Sequence, residues 1–200
     1  MTDQTGEPQT GERLRFPLLM RILHWLMAAM VLSMLFIGVA MVSSLVNYNR
    51  LVSIHRPLGI LILILVVIRF VNRRFSKLPP FPPTMSQAER RIAHASEILL
   101  YTLMFVVPLV GWGMLSAGNY PIVMVGPLHL PHILPANPTL FALLRKTHTI
   151  LAYLLFATFM GHLTAVSFHT LVLQDGLLSR MSVWSTSSRR IGVNDHSRFS

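Results

Sequence analysis

His148 and His162 stand fourteen residues apart in KTHTILAYLLFATFMGHLTAVSFH, Lys146–His169, a stretch otherwise apolar enough to lie in lipid. Fourteen residues are nearly four helical turns, so both imidazoles project from almost the same face, about 21 Å apart along the axis. Ionisable groups inside a membrane span are costly, which makes each a functional candidate. Two more histidines meet that description, His24 early in a first apolar run and His55 at the start of a second. By depth the four form two pairs, His24 with His162 toward one membrane face and His55 with His148 toward the other. Neutral imidazole suits zinc, copper and iron. Structural zinc takes four protein ligands, and each depth offers only two. Two imidazoles on facing helices across a wide apolar slot suit a haem held by bis-histidine ligation, and two such layers imply two b-type haems. With both axial positions occupied, no iron position stays open, which favours electron transfer over oxygen binding. A single span histidine is often a hydrogen-bonded structural residue, but four at two matched depths are harder to explain that way.

Neighbouring residues agree with this geometry. Gly38 lies fourteen residues after His24 and so faces the bundle at the depth of the outer pair, where a side chain would obstruct a porphyrin edge. Gly59, one turn after His55, also leaves room. Arg69, fourteen after His55, falls on the same face at inner depth, where it either pairs an inner haem propionate or snorkels to the surface. Gly111, Gly113 and Pro108 read as close packing or a kink. Other histidines compete. His169, seven after His162 on the same face, is the main rival for the inner position. His129 and His132 rival the outer ligands, and His196 lies in a polar tail. His94, beside Glu97, is either a surface residue or a contact to a quinone headgroup. Arg73, Arg74 and Trp25 share that quinone side.

Four apolar runs must position these groups: roughly residues 16–46, 54–71, 98–117 and 147–173. Each approaches the ~20 residues that cross a ~30 Å hydrocarbon core. Helix is the open element that does so with its backbone satisfied, so the fold class is an all-α membrane protein, a four-helix bundle. The link KLPPFPPTM, Lys77–Met85, is too rich in proline to be helical. Residues 118–145 are apolar but broken by prolines and read as an interfacial or re-entrant cap. Residues 1–12 form a polar tail, 13–181 the di-haem domain, and 182–200 a Ser- and Arg-rich segment expected to be disordered. GVAMVSS near Gly38 resembles a signal-peptide cleavage site. The apolar run before it is too long, and the first twelve residues are acidic, so the first span is expected to be retained.

Composition supports a membrane setting. The chain of 200 residues is 52% hydrophobic and only 12% charged, where a soluble domain carries about a quarter charged residues. The net charge of +10 does not point to nucleic acid, because no basic stripe with interleaved aromatics is present. Instead the basic residues flank the apolar runs. Arg13, Arg15, Arg21, Arg69, Arg73, Arg74, Lys77, Arg90, Arg91, Arg180, Arg189, Arg190 and Arg198 fall on one side, against Arg50, Arg56, Arg145 and Lys146 on the other. The positive-inside rule then puts both termini in the cytoplasm. The absence of cysteine excludes disulfides, thiolate-ligated metals, iron–sulfur clusters and thioether-attached haem.

The segments ILHWLMA, SIHRPLGILILILVVIRFVNR, AHASEILLYTLMFVVPLVGWGM and RKTHTILAYLLFATFMGHLTAVSFH, followed by LLSRM, together resemble the prokaryotic cytochrome b561 family over about Arg13–Met181. That resemblance implies a multi-pass protein of the bacterial inner membrane with two haem b groups, moving electrons between the outer face and the quinone pool. The family's ligand histidines fall by position on His24, His55, His148 and His162. Members include a superoxide oxidase that passes electrons to ubiquinone, and relatives serve as cytochrome b subunits of hydrogenases and other membrane oxidoreductases. Three readings follow: a transmembrane electron wire fed by an outer donor such as superoxide, an electron-transfer subunit that docks a periplasmic or membrane redox protein, and a haem-free transporter. The last makes little use of two stacked histidine pairs on different helices.

Overall fold

The computed structural model describes residues 15–43, 46–76, 79–81, 85–124, 126–174 and 176–182. The expected polar tail 1–12 and nearly all of the expected disordered tail 182–200 lie outside them. Helix accounts for 79% of the described residues, with no β-strand among them. The long helices are α1 (Leu18–Ser43), α2 (Tyr48–Phe75), α3 (Gln87–Ala117) and α4 (Pro138–Phe168); α4 continues as a π-helical turn, His169–Leu173, and a short α5 follows, Leu177–Met181. All four long helices are apolar enough to cross a membrane. The shortest, α1 with 26 residues, is about 39 Å long at 1.5 Å per residue, more than the ~30 Å hydrocarbon core requires.

The helices run past the apolar stretches because their ends carry start signals rather than apolar residues. The α3 N-terminus is a capping box: the Ser86 hydroxyl accepts from the Glu89 amide while the Glu89 carboxylate accepts from the Ser86 amide. At α4, Asn137 accepts from the Leu140 amide and Pro138 occupies the first turn, where its fixed φ and missing N–H cost nothing. The helix therefore begins well before Thr147, and residues 138–145 belong to α4 rather than to the cap. Of the proline link, residues 79–81 are described and are non-helical.

Packing follows chain order: α1 lies on α2, α2 on α3 and α3 on α4. Large apolar side chains such as Phe36, Ile64, Phe105, Ile150 and Tyr153 point outward, as expected where lipid is the solvent and helices associate through close packing. The interior core is small and sits at mid-height. Met30, Val31 and Ile62 are buried, with Met34, Leu35, Leu58, Leu65, Met104 and Phe159 packed against them. All four long helices contribute to this apolar layer.

The segment between α3 and α4 folds over one end of the bundle. Ile133 N donates to the buried Ser116 hydroxyl (3.2 Å), Trp112 Nε1 to Pro131 O (2.9 Å) and Asn137 N to Ala117 O (2.9 Å). A single antiparallel bridge joins Val123 and His129, and Ile122 is buried beneath it. Gly118 closes α3 beside the Tyr120 and Phe141 rings, whose centroids are 5.7 Å apart. A Cβ there would lie 2.6 Å from the Tyr120 ring and 2.8 Å from Phe141 Cδ2. Gly118→Ala should therefore cost about 1–3 kcal/mol through overpacking, read as a lower unfolding temperature of the detergent-solubilised protein. An unchanged temperature would show that both rings swing aside freely.

Candidate functional site

His55 and His148 meet at the capped end of the bundle, called outer from the charge pattern. Their rings are 6.1 Å apart between centroids and inclined at 71°. His148 Nδ1 lies 3.1 Å from the Val107 carbonyl oxygen on α3, so the N–H sits on Nδ1 and the other ring nitrogen is left to act as a ligand. Gly111 makes that seat available. A Cβ on it would lie 3.2 Å from His148 Cε1 and 3.4 Å from Nδ1, pressing the ring off the carbonyl. The close packing expected of Gly111 is thus packing against a candidate ligand. Gly113, by contrast, makes room for Leu134, 3.1 Å from where its Cβ would stand.

At the inner end, His24 on α1 interacts electrostatically with His162 on α4 and with Arg69 on α2, and Arg69 acts on His162 as well. Arg69 does not simply snorkel away. Its Nε donates to the Tyr101 hydroxyl (2.8 Å), and its guanidinium carbon lies 5.6 Å from that ring's centroid. His169 caps α4, its N–H reaching the Ala165 and Val166 carbonyls, and π winding begins there; its ring stands edge-on to Phe168 at 6.2 Å. His129 is turned back within the cap, with Nδ1 2.7 Å from Pro127 O, and both it and His132 are exposed.

The residues read as a quinone side fall in two places. Trp25 stacks edge-on to His24 (5.7 Å) and donates from Nε1 to Met181 O (2.9 Å), while Arg21 donates to Ser182 O (2.7 Å), so both engage the chain end around α5. Arg73 pairs with Glu97 at 2.7 Å, and His94 Nδ1 approaches the same carboxylate oxygen at 4.0 Å. Arg74 is exposed beside Phe70, Arg73 and Ser76, which line an open groove. Tyr101 was not among the sequence candidates. It follows Glu97 by one turn and His94 by two, and that spacing was the signal available.

Several features bear on whether a haem fits. Nδ1 of His24 and of His55 are buried without a protein partner, a costly state for an imidazole inside an apolar bundle. A Cβ on Gly38 would meet nothing within 4 Å, and one on Gly59 only Met34 Cε at 3.6 Å, so both positions border open room. Among the described residues no three His, Cys, Asp or Glu side chains gather for a metal. Donors in twos suit an iron that brings its own equatorial nitrogens in a macrocycle. The residues present fit a haem at each end.

The sequence profile described as prokaryotic cytochrome b561 matches residues 15–183. Cytochrome b561 homolog 2 of Escherichia coli (strain K12) is 30% identical over 120 residues, covering 58% of this chain and 64% of that protein. The chain thus spans slightly under two thirds of that relative's length. Probable superoxide oxidase CybB of Yersinia pestis is 30% identical over 128 residues, 64% of this chain and 72% of that protein. The profile match takes in all four membrane helices, both histidine pairs and the cap, and the chain belongs to the prokaryotic cytochrome b561 family.

Proposed function

We propose that this protein carries electrons across the bacterial inner membrane through two b-type haems, from a one-electron donor at the outer face to quinone near the inner face, with both termini cytoplasmic. The observation that carries this reading is the pair of histidine layers, one at each end of the bundle, with an apolar layer between them. Family membership supports b-type haem and membrane electron transfer. His55 and His148 hold the outer haem and His24 and His162 the inner one. A haem bound there supplies reversible one-electron ferric–ferrous chemistry.

The chain's own residues set the rest. The Val107 carbonyl fixes the tautomer and plane of His148, and Gly111 keeps that seat clear. Arg69, held by Tyr101, offers a positive charge to an inner propionate. At the outer end Arg50, Arg145 and Lys146 are exposed, and Arg56, partly buried, donates to Pro121 O in the cap (3.2 Å). Their field favours capture of a small anion, which makes superoxide the preferred donor, and the likeness to the Yersinia pestis relative supports the same choice. The acceptor is ubiquinone or another lipid-soluble quinone, approached from the side of Arg73, Arg74, His94 and Trp25.

Four outcomes are expected. The purified protein should bind two haems and give a b-type absorption change on dithionite reduction. His55→Ala or His148→Ala should leave about half of that signal. Loss of the inner haem in His169→Ala but not in His162→Ala would overturn the ligand assignment. Superoxide should drive quinone reduction by the isolated protein, at a rate that falls as ionic strength rises. Haem reduction that occurs only with a co-purified protein partner would replace superoxide by a docked redox subunit. Finally, Gly111→Val should dislodge His148 and lower the outer haem content while the inner haem persists; full occupancy of both would refute the role of that seat.

A further inference from the structure

Quinone reduction consumes protons as well as electrons. With superoxide as donor, two superoxide, one quinone and two protons give two dioxygen and one quinol. Each superoxide loses one electron, and the quinone gains two electrons and forms two O–H bonds. Those protons need a path. The layer of Met30, Val31, Leu58, Ile62, Leu65, Met104 and Phe159 offers a proton no hydrogen-bonding side chain, so protons for inner-face chemistry have to enter from the inner end.

We propose that the polar ladder between α2 and α3 is that entry route, running from His94 through Glu97 to Tyr101. This rests on quinone being the acceptor. The three lie on one face of α3 at i, i+3 and i+7, and about 10 Å of helix separates the first from the last. His94 is the mouth, with its side chain 63% exposed and Nδ1 4.0 Å from Glu97 Oε2. Glu97 is more enclosed, at 30%, and is held against α2 by Arg73 Nη2 at 2.7 Å. One turn further in, the Tyr101 hydroxyl accepts from Arg69 Nε, so its own O–H remains to donate elsewhere. Between Arg69 and Arg73 along α2, the Asn72 side-chain nitrogen is buried with no partner. A buried amide donor without a protein partner is the setting in which a water is held. The charged and titratable groups facing the ladder are Arg69 and Arg73 from α2, His94 from α3 itself and, through Arg69, His24 of α1 and His162 of α4. The route therefore ends at the arginine that acts on both inner histidines. A proton passes from water to His94, to the Glu97 carboxylate, and across the gap to the Tyr101 hydroxyl, which gives up its own proton inward and is reprotonated from the outside.

The test uses the haem-loaded protein in liposomes with a soluble ubiquinone analogue, comparing wild type with Glu97→Gln, His94→Ala and Tyr101→Phe. Haem content, the dithionite spectrum and haem reduction by superoxide should match wild type in Glu97→Gln and His94→Ala; in Tyr101→Phe, where the phenol also holds Arg69, the quinone step is read per bound haem. Reoxidation of the haem by quinone should slow about tenfold or more at pH 8 and less at pH 6, since general acid catalysis contributes on the order of 10²–10⁴. Imidazole or formate in the buffer should restore the rate in His94→Ala and Glu97→Gln, which a merely structural loss would not allow. Wild-type rates and pH profiles in Glu97→Gln and Tyr101→Phe would overturn the route, as would an equal slowing at every pH without rescue. If wild type itself fails to pass electrons to quinone, the acceptor reading fails instead, and the two failures are distinguishable.

Discussion

A polar atom inside a hydrocarbon-facing bundle has to find a partner, and that constraint organises this protein. Lipid gives the outward faces no reason to be anything but apolar, and they are crowded with Leu, Ile, Val and Phe. The few polar groups that remain inside are grouped at two depths and largely matched. His148 rests on a backbone carbonyl, Arg69 on a phenol, and Arg73 on a carboxylate. The exceptions are informative. Among them, the unpartnered nitrogens of His24 and His55 lie in the two layers where the proposal places iron, and that of Asn72 lies on α2 between Arg69 and Arg73 in sequence.

The spans were legible in the sequence because each is a long apolar run, and hydropathy is the physical quantity that puts a helix in a bilayer. Their ends were less so. Residues 138–145 read as part of a proline-broken cap since Pro138, Arg145 and Lys146 interrupt the apolar run. Yet a proline just after Asn137 is a helix start, and the local capping chemistry prevailed over composition. The register of His148 with His162 was readable because it depends only on helical pitch. The π winding that begins at His169 was not readable, because nothing in composition marks it.

Within the candidate site, what the sequence concealed were contacts made by backbone or across helices. The seat of His148 is a carbonyl, invisible in side-chain identity, and Gly111 gains its meaning only from the ring lying over it. Trp25 donates to the carbonyl of Met181, a contact across 156 positions of sequence. Tyr101 is the opposite case. Its spacing from His94 and Glu97 is visible in the sequence, but a tyrosine in a span reads as an interfacial anchor until the α2 arginine that donates to it is seen.

The apolar layer at mid-height has an electrical consequence. If an electron crosses it and no ion does, each transfer moves one net negative charge through the part of the bilayer where the voltage drops. In the proposed orientation that charge travels toward an interior already negative. Moving it costs about 2.3 kcal/mol per 100 mV of membrane potential. A bundle whose centre is Met30, Val31, Ile62 and Phe159 is thus in series with the membrane potential: an energised cell slows its own electron import, and a depolarised one releases that brake.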